Sequence, residues 1–163
     1  MRKLDEAGPE DLDHVLEEYA FYLQDELFRA THENADRLLN GFAYTLAEHE
    51  VRLDDAKKLA LLAHELDSDN PDIKDTYAWV LIKNGELEEG MQVLLEAGEI
   101  YDTAPGSDFT MLQFYAHLGH AYRISDQADL AREALEKAVA YDVKGEWLEF
   151  AKSELRMLDQ ATP

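Results

Sequence analysis

Apolar positions recur along this chain every three to four residues, and the recurrence itself repeats. The run YAHLGHAY (115–122) sets small Gly119 between Leu118 and Tyr122 inside an apolar stretch of helical period. The same order of a large, a small and, three residues on, a large side chain occurs twice more. It is Phe42, Ala43 and Leu46 in NGFAYTL (40–46), and Tyr77, Ala78 and Leu81 in DTYAWVL (75–81). Downstream of each copy comes a second helical stretch with small or apolar residues at fixed places. These are Ala56, Ala60 and Ala63; Gly90, Leu94 and Ala97; and Ala131, Leu135 and Ala138. Ala56 to Gly90 and Ala63 to Ala97 are both 34 residues, while Gly90 to Ala131 and Ala97 to Ala138 are both 41. The additional seven residues fall in the turn-rich stretch TAPGSDF (103–109), where an insertion costs little. The leading stretches of the first two copies lie 35 apart, which places one extra residue between His49 and Arg52. Periods of this size predict three helix–turn–helix units.

Small side chains are what such a unit needs. Two antiparallel helices approach closely only where both faces are small, so Gly119 is expected against Ala131 and Ala138, Ala78 against Gly90, and Ala43 against Ala56. The punctuation agrees. Asn70-Pro71 supplies an N-cap and a first-turn proline, and Asn84-Gly85 a helix stop with a residue able to take positive φ. Ser107 or Asp108 can cap the long leading helix of the third unit, and Ser125 or Asp126 its return helix.

Two flanking helices complete the reading. In 146–158, Trp147, Ala151, Leu155 and Leu158 form one stripe, the shape of a terminal cap over the last hairpin. In 9–28 the stripe of Leu12, Val15, Leu16, Tyr19, Leu23 and Leu27 is widened by Phe21, Tyr22 and Phe28. That helix either packs broadly on the first repeat, docks in the protein's own groove, or pairs with a second copy.

Composition narrows the function. Apolar residues make up 46 % of the 163, with four Pro, eight Gly and no Cys, which favours helix throughout and excludes disulfides and thiolate metal sites. The net charge of −21 opposes nucleic acid and anionic membrane surfaces as partners. It reads as a well-solvated acidic surface suited to high salt, or as attraction for a basic partner. No signal peptide and no long apolar run stands out, so the expected location is the cytoplasm.

A helix–turn–helix of this length carrying W-x2-L-G-x2-Y and then A-x3-F resembles the tetratricopeptide repeat family. Tyr115, Leu118, Gly119 and Tyr122 match the first phrase with Tyr for Trp, and Ala131 and Leu135 the second. The departures are Gly90 in place of Ala, and Ser68, Asp102 and Val143 where Pro ends a repeat. The resemblance implies an all-α, right-handed α-α superhelix. Its parts are an N-terminal flanking helix in 1–35, three repeats in 36–143 (about 36–70, 71–104 and 109–143) and a capping helix in 144–163.

Chemistry of an enzyme is not in view. His32-Glu33, His49-Glu50 and His64-Glu65 lack a second His four residues after the first, where Asp36, Leu53 and Ser68 stand. His117 and His120 share a helix face but have no evident third ligand. The stretch DSDNPD (67–72) begins like a calcium loop, yet Asp72 stands where Gly is needed and Ala78 where Glu is needed. Neither metal nor cofactor is implied.

The resemblance instead implies a concave groove lined by the first helix of each repeat and holding a partner's peptide or helix. The lining residues would be Arg37, Asn40, Tyr44 and Glu48; Asp72, Asp75, Trp79 and Lys83; and Gln113, His117, His120 and Arg123. Trp79 is the strongest contact candidate, since a mid-groove aromatic offers area at low entropy cost. The alternative is that it packs between helices. Three cations balance three carboxylates among the twelve, so the net charge does not by itself call for a basic ligand. Chaperone-binding members hold a C-terminal carboxylate with Lys, Asn and Arg. The residues at those places here are Asn40, Tyr44, Thr76, Gln113 and His117, which do not reproduce the set. The function expected is a non-enzymatic adaptor for a protein or peptide. Its rivals are a self-assembling scaffold, homo-oligomeric through the aromatic leading helix, and a non-catalytic subunit of a larger complex.

Overall fold

Seven helices follow one another through residues 34–161, the part of the chain that the computed structural model describes. They are α1 (Ala35–Glu48), α2 (Leu53–Leu66), α3 (Pro71–Lys83), α4 (Leu87–Thr103), α5 (Asp108–Ile124), α6 (Ala128–Ala140) and α7 (Glu146–Ala161). No strand occurs among the described residues. The helix expected over 9–28 lies outside them.

The hairpins share one turn, repeated almost atom for atom. In the second, Asn84 N–H donates to Val80 O, Gly85 N–H to Ile82 O and Glu86 N–H to Leu81 O, at 2.9, 3.0 and 2.9 Å. In the third, Ser125, Asp126 and Gln127 do the same to Ala121, Arg123 and Tyr122, and in the first His49, Glu50 and Val51 do so to Thr45, Ala47 and Leu46. The middle residue is left-handed each time, with φ of 52° at Glu50, 87° at Gly85 and 58° at Asp126. The first hairpin then spends one more residue, Arg52, also left-handed at φ 48°. That is the single insertion the spacing called for between His49 and Arg52.

Caps follow the sequence with one exception. Asn70 Oδ1 accepts from Asp72 N–H at 3.1 Å and Ser107 Oγ from Thr110 N–H at 3.2 Å. Ser125 and Asp126 do not cap α6, whose N-cap is Gln127 without a side-chain bond. Both residues are consumed by the turn, and Ser125 Oγ donates back to Ala121 O at 2.9 Å.

Close approach occurs where the small residues stand. A Cβ on Gly119 would lie 2.5 Å from Leu135 Cγ and 3.3 Å from Ala131 O. One on Gly90 would lie 2.9 Å from Ala78 O and 2.7 Å from Ile82 Cγ1. Gly119 therefore meets the turn carrying Ala131 and Leu135, one turn earlier than Ala138. Ala43 and Ala56 are both fully buried.

Packing is densest within the α3/α4 and α5/α6 hairpins. Between hairpins α2 packs on α3, α4 on α5 and α3 on α5, and α7 packs on both α5 and α6. Contact with the next helix and the next but one is the signature of a stacked α-hairpin solenoid. The central helix α3 is buried nearly all round, from Ile73 and then Asp75 through Ile82, which explains why DTYAWVLI shows so little polar face.

Candidate functional site

The first helices of the three hairpins bring the expected stripes together. Trp79 in α3 donates its indole N–H to Glu48 Oε1 of α1 at 2.8 Å and stacks on His117 of α5 with centroids 4.2 Å apart. His120 lies edge-on to the same indole at 5.4 Å. One tryptophan thus touches residues of all three repeats.

The middle of that face is filled by the chain's own last helix. Trp147 of α7 meets Trp79 edge-on at 5.7 Å and His117 at 4.6 Å, and donates its N–H to Tyr44 Oη at 2.9 Å. Phe150 adds edge contacts to Trp79 at 6.2 Å and to Trp147 at 5.1 Å. Glu154, 4 % exposed by its side chain, accepts from Arg123 Nε at 2.6 Å and His120 Nδ1 at 2.9 Å. Burial raises the Glu154 pKa, but the hydrogen bonds and charges of His120 and Arg123 outweigh it and hold the carboxyl below its ordinary range.

The twelve expected lining residues therefore divide. Asp75, Trp79 and His117 are inside, at 6 %, 1 % and 0 % exposure. A buried carboxylate needs a donor, and His117 Nδ1–H supplies it to Asp75 Oδ1 at 2.9 Å. The other ring nitrogen, Nε2, is buried without a hydrogen-bond partner among the described residues. Arg37, Glu48 and Asp72 are exposed; Asn40, Tyr44, Lys83, Gln113, His120 and Arg123 are half-buried. Asp72 accepts from Tyr101 Oη at 2.6 Å, and Lys83 pairs with Glu50 while its ammonium lies 5.2 Å from the Trp79 ring centre. Tyr44 has its phenol pKa pushed far up by burial and by the neighbouring Glu48.

Sequence reading placed Trp147 on the capping stripe but gave Phe150 and Glu154 no role. Their spacing, with Trp147 three and seven residues before them, marks one helix face. Their partners on α5 lie some thirty residues away and follow only from tertiary packing.

An open cleft of about 410 Å³ remains where α1 ends beside the first turns of α7. Glu48, Glu146, Glu149, Trp147, Phe150 and Ser153 line it. Among the described residues no helix is long and apolar enough to cross a membrane.

By architecture the described residues form an α-hairpin repeat solenoid, the class of fold that presents a face built from successive first helices. More narrowly, they have the tetratricopeptide-repeat fold. The first TPR domain of the human RPAP3 protein, solved by NMR, matches with a TM-score of 0.56 at 12 % identity, over 78 % of this chain and 98 % of that one. In sequence, a TPR repeat-containing protein of Pseudomonas aeruginosa is 36 % identical over 63 residues, which is 39 % of this chain. The matched segment spans only 11 % of that relative's length. No protein-family model matches the chain. Repeats of this kind are in general protein–protein interaction modules.

Proposed function

We propose that the protein is a cytoplasmic, non-enzymatic adaptor that receives a segment of a partner protein on the face formed by α1, α3 and α5. The observation that carries this reading is the convergence of Glu48, Trp79, His117 and His120, one stripe from each repeat, on one side of the array, with Trp79 and His117 buried beneath α7. The covered centre, where α7 lays Trp147 and Phe150 over Trp79, confines the partner to the margins of that surface. Those margins are the stretch of α1 around Arg37 and Asn40, the α5 side chain of Gln113, and the cleft beside α7. Supporting this is the general use of tetratricopeptide folds as interaction modules, in which binding needs surface rather than reactive groups.

Photo-crosslinking tests it. A photoreactive residue is placed in the full chain at Arg37 or Gln113 on the proposed face, or at Glu99 on the return helix α4, and irradiated in lysate of the native host. Adducts of one partner at the first two positions and none at Glu99 are expected. Adducts at Glu99 alone, or adducts only with a second copy of the chain, would overturn the reading in favour of a convex interface or a self-assembling scaffold.

A further inference from the structure

The charge balance of the groove changes once its pairs are known. Counted along the chain, Arg37, Lys83 and Arg123 offset Glu48, Asp72 and Asp75. In the folded protein Lys83 is taken by Glu50 and Arg123 by Glu154, two acids outside that set. Asp75 is buried against His117 and drops out of the count. What stays accessible beside α7 is acidic, because the cleft there is walled by Glu48, Glu146 and Glu149 and by no lysine or arginine.

We propose that this cleft receives a lysine or arginine side chain from a basic partner segment. The proposal rests on the adaptor reading above and supplies the chemistry of its partner. Four features argue for it. Glu48 closes α1, whose last turn carries no basic residue, so the negative end of that helix dipole adds to the carboxylate. Lys152, which pairs with Glu149 at 3.0 Å, is an exposed neighbour on the same helix, and such pairs hold a carboxylate only weakly. The remaining wall is aromatic, and an indole or phenyl face attracts a cation from which water is partly excluded. The same ring cluster already takes one: the Lys83 ammonium lies 5.2 Å from the centre of Trp79, which is in edge contact with both Trp147 and Phe150. A volume of about 410 Å³ accommodates one long basic side chain with part of its backbone. Ser153 supplies a hydroxyl for that backbone or for a guanidinium nitrogen. An acidic or purely apolar segment would bring no cation to the three carboxylates that line the cleft.

The test is selection of a random twelve-residue peptide display library on the full chain, followed by titration of the enriched peptides in synthetic form. Two variants are run beside it. One carries Glu48→Gln, Glu146→Gln and Glu149→Gln, which keep an acceptor for the Trp79 N–H. The other carries Glu65→Gln, Glu99→Gln and Glu136→Gln, which remove the same charge from exposed positions outside the cleft. Circular dichroism confirms that both fold. Enrichment of peptides with a fixed Lys or Arg is expected, with affinity lowered about tenfold or more by the cleft variant and about twofold or less by the other. Equal losses in the two variants would mean attraction by net charge alone and would overturn the proposal. Enrichment of acidic or apolar peptides would overturn it while leaving the adaptor reading in place. No enrichment of any peptide would count against both.

Discussion

Replacing Trp79 by alanine is the perturbation on which the two readings of this residue part company. A tryptophan waiting in an open groove costs little stability when truncated, whereas one inside a cluster costs a great deal. At 1 % exposure, Trp79 is enclosed by His117, His120, Trp147 and Phe150. A buried tryptophan removes roughly 150–250 Å² from water, which at about 25 cal/mol/Å² is an upper bound of roughly 4–6 kcal/mol. Compactness of the unfolded chain trims that to about 3–5 kcal/mol, the range measured for Trp and Phe truncations in cores. Loss of the bond to Glu48 adds little, because Glu48 is exposed and water replaces the donor. Trp79→Ala should therefore lower the urea midpoint by the equivalent of about 3–5 kcal/mol at unchanged m-value, and the melting temperature by about 10–15 °C. Trp79→Phe, which keeps most of the ring, should cost less than half as much. A double-mutant cycle between Trp79→Ala and Trp147→Ala should return a coupling of about 0.5–1.5 kcal/mol, the value for an edge-to-face pair. A loss below about 1 kcal/mol for Trp79→Ala, or no coupling to Trp147, would refute the picture of a groove closed at its centre by α7.

Three further outcomes follow from the same geometry. Gly119→Ala should cost about 1–3 kcal/mol in urea unfolding, since its Cβ would sit 2.5 Å from Leu135 Cγ. The left-handed turn position should respond in opposite senses in two hairpins. Gly85→Ala should lose about 1–2 kcal/mol, and Asp126→Gly should gain about 0.5–1 kcal/mol, with both measured by thermal melting. Glu154 is depressed below its ordinary value of 4.5 in the folded state, so it binds fewer protons there than when unfolded. Its contribution is accordingly complete above that value and is lost as pH falls through the lower folded pKa. Glu154→Gln should flatten the fall of stability with acid below 4.5, and an unchanged acid slope in that variant would show that the Arg123 and His120 bonds do not hold this carboxylate.

How far the sequence reaches, and where it stops, is visible in the turn residues and in α7. The Asn84-Gly85 turn and the extra residue of the first hairpin were legible because each is a local event, whereas Asp126 reads as a cap and proves to be the left-handed turn residue. Glu50, Gly85 and Asp126 stand at fixed offsets from the small residues beside them, and the offset breaks only where Arg52 is inserted. Gly119 and Gly90 were legible for the same reason, since a hairpin's contact register is set by its own turn a few residues away. The small slip from Ala138 to Leu135 as the partner of Gly119 reflects axial stagger, which spacing alone does not carry.

The state of the groove is a different kind of fact. Whether Trp79 faces water or another ring depends on where a helix starting at Glu146 docks, and no local pattern encodes that register. The stripe Trp147, Phe150 and Glu154 is readable as a face, yet equally compatible with packing on α6 alone. Its destination is selected by partners that only the folded repeats bring together: a tyrosine hydroxyl from α1, an indole from α3, and a histidine with an arginine from α5. Charge shows the same limit. Counting acids and bases gave a neutral groove because pairing was invisible. Once Glu50 and Glu154 take up Lys83 and Arg123, the cleft beside α7 carries an excess of carboxylate that the count had averaged away. A repeat array is thus nearly one-dimensional in its scaffold and fully three-dimensional where a further helix docks on it, and for this chain α7 decides which side chains of the α1, α3 and α5 face stay exposed.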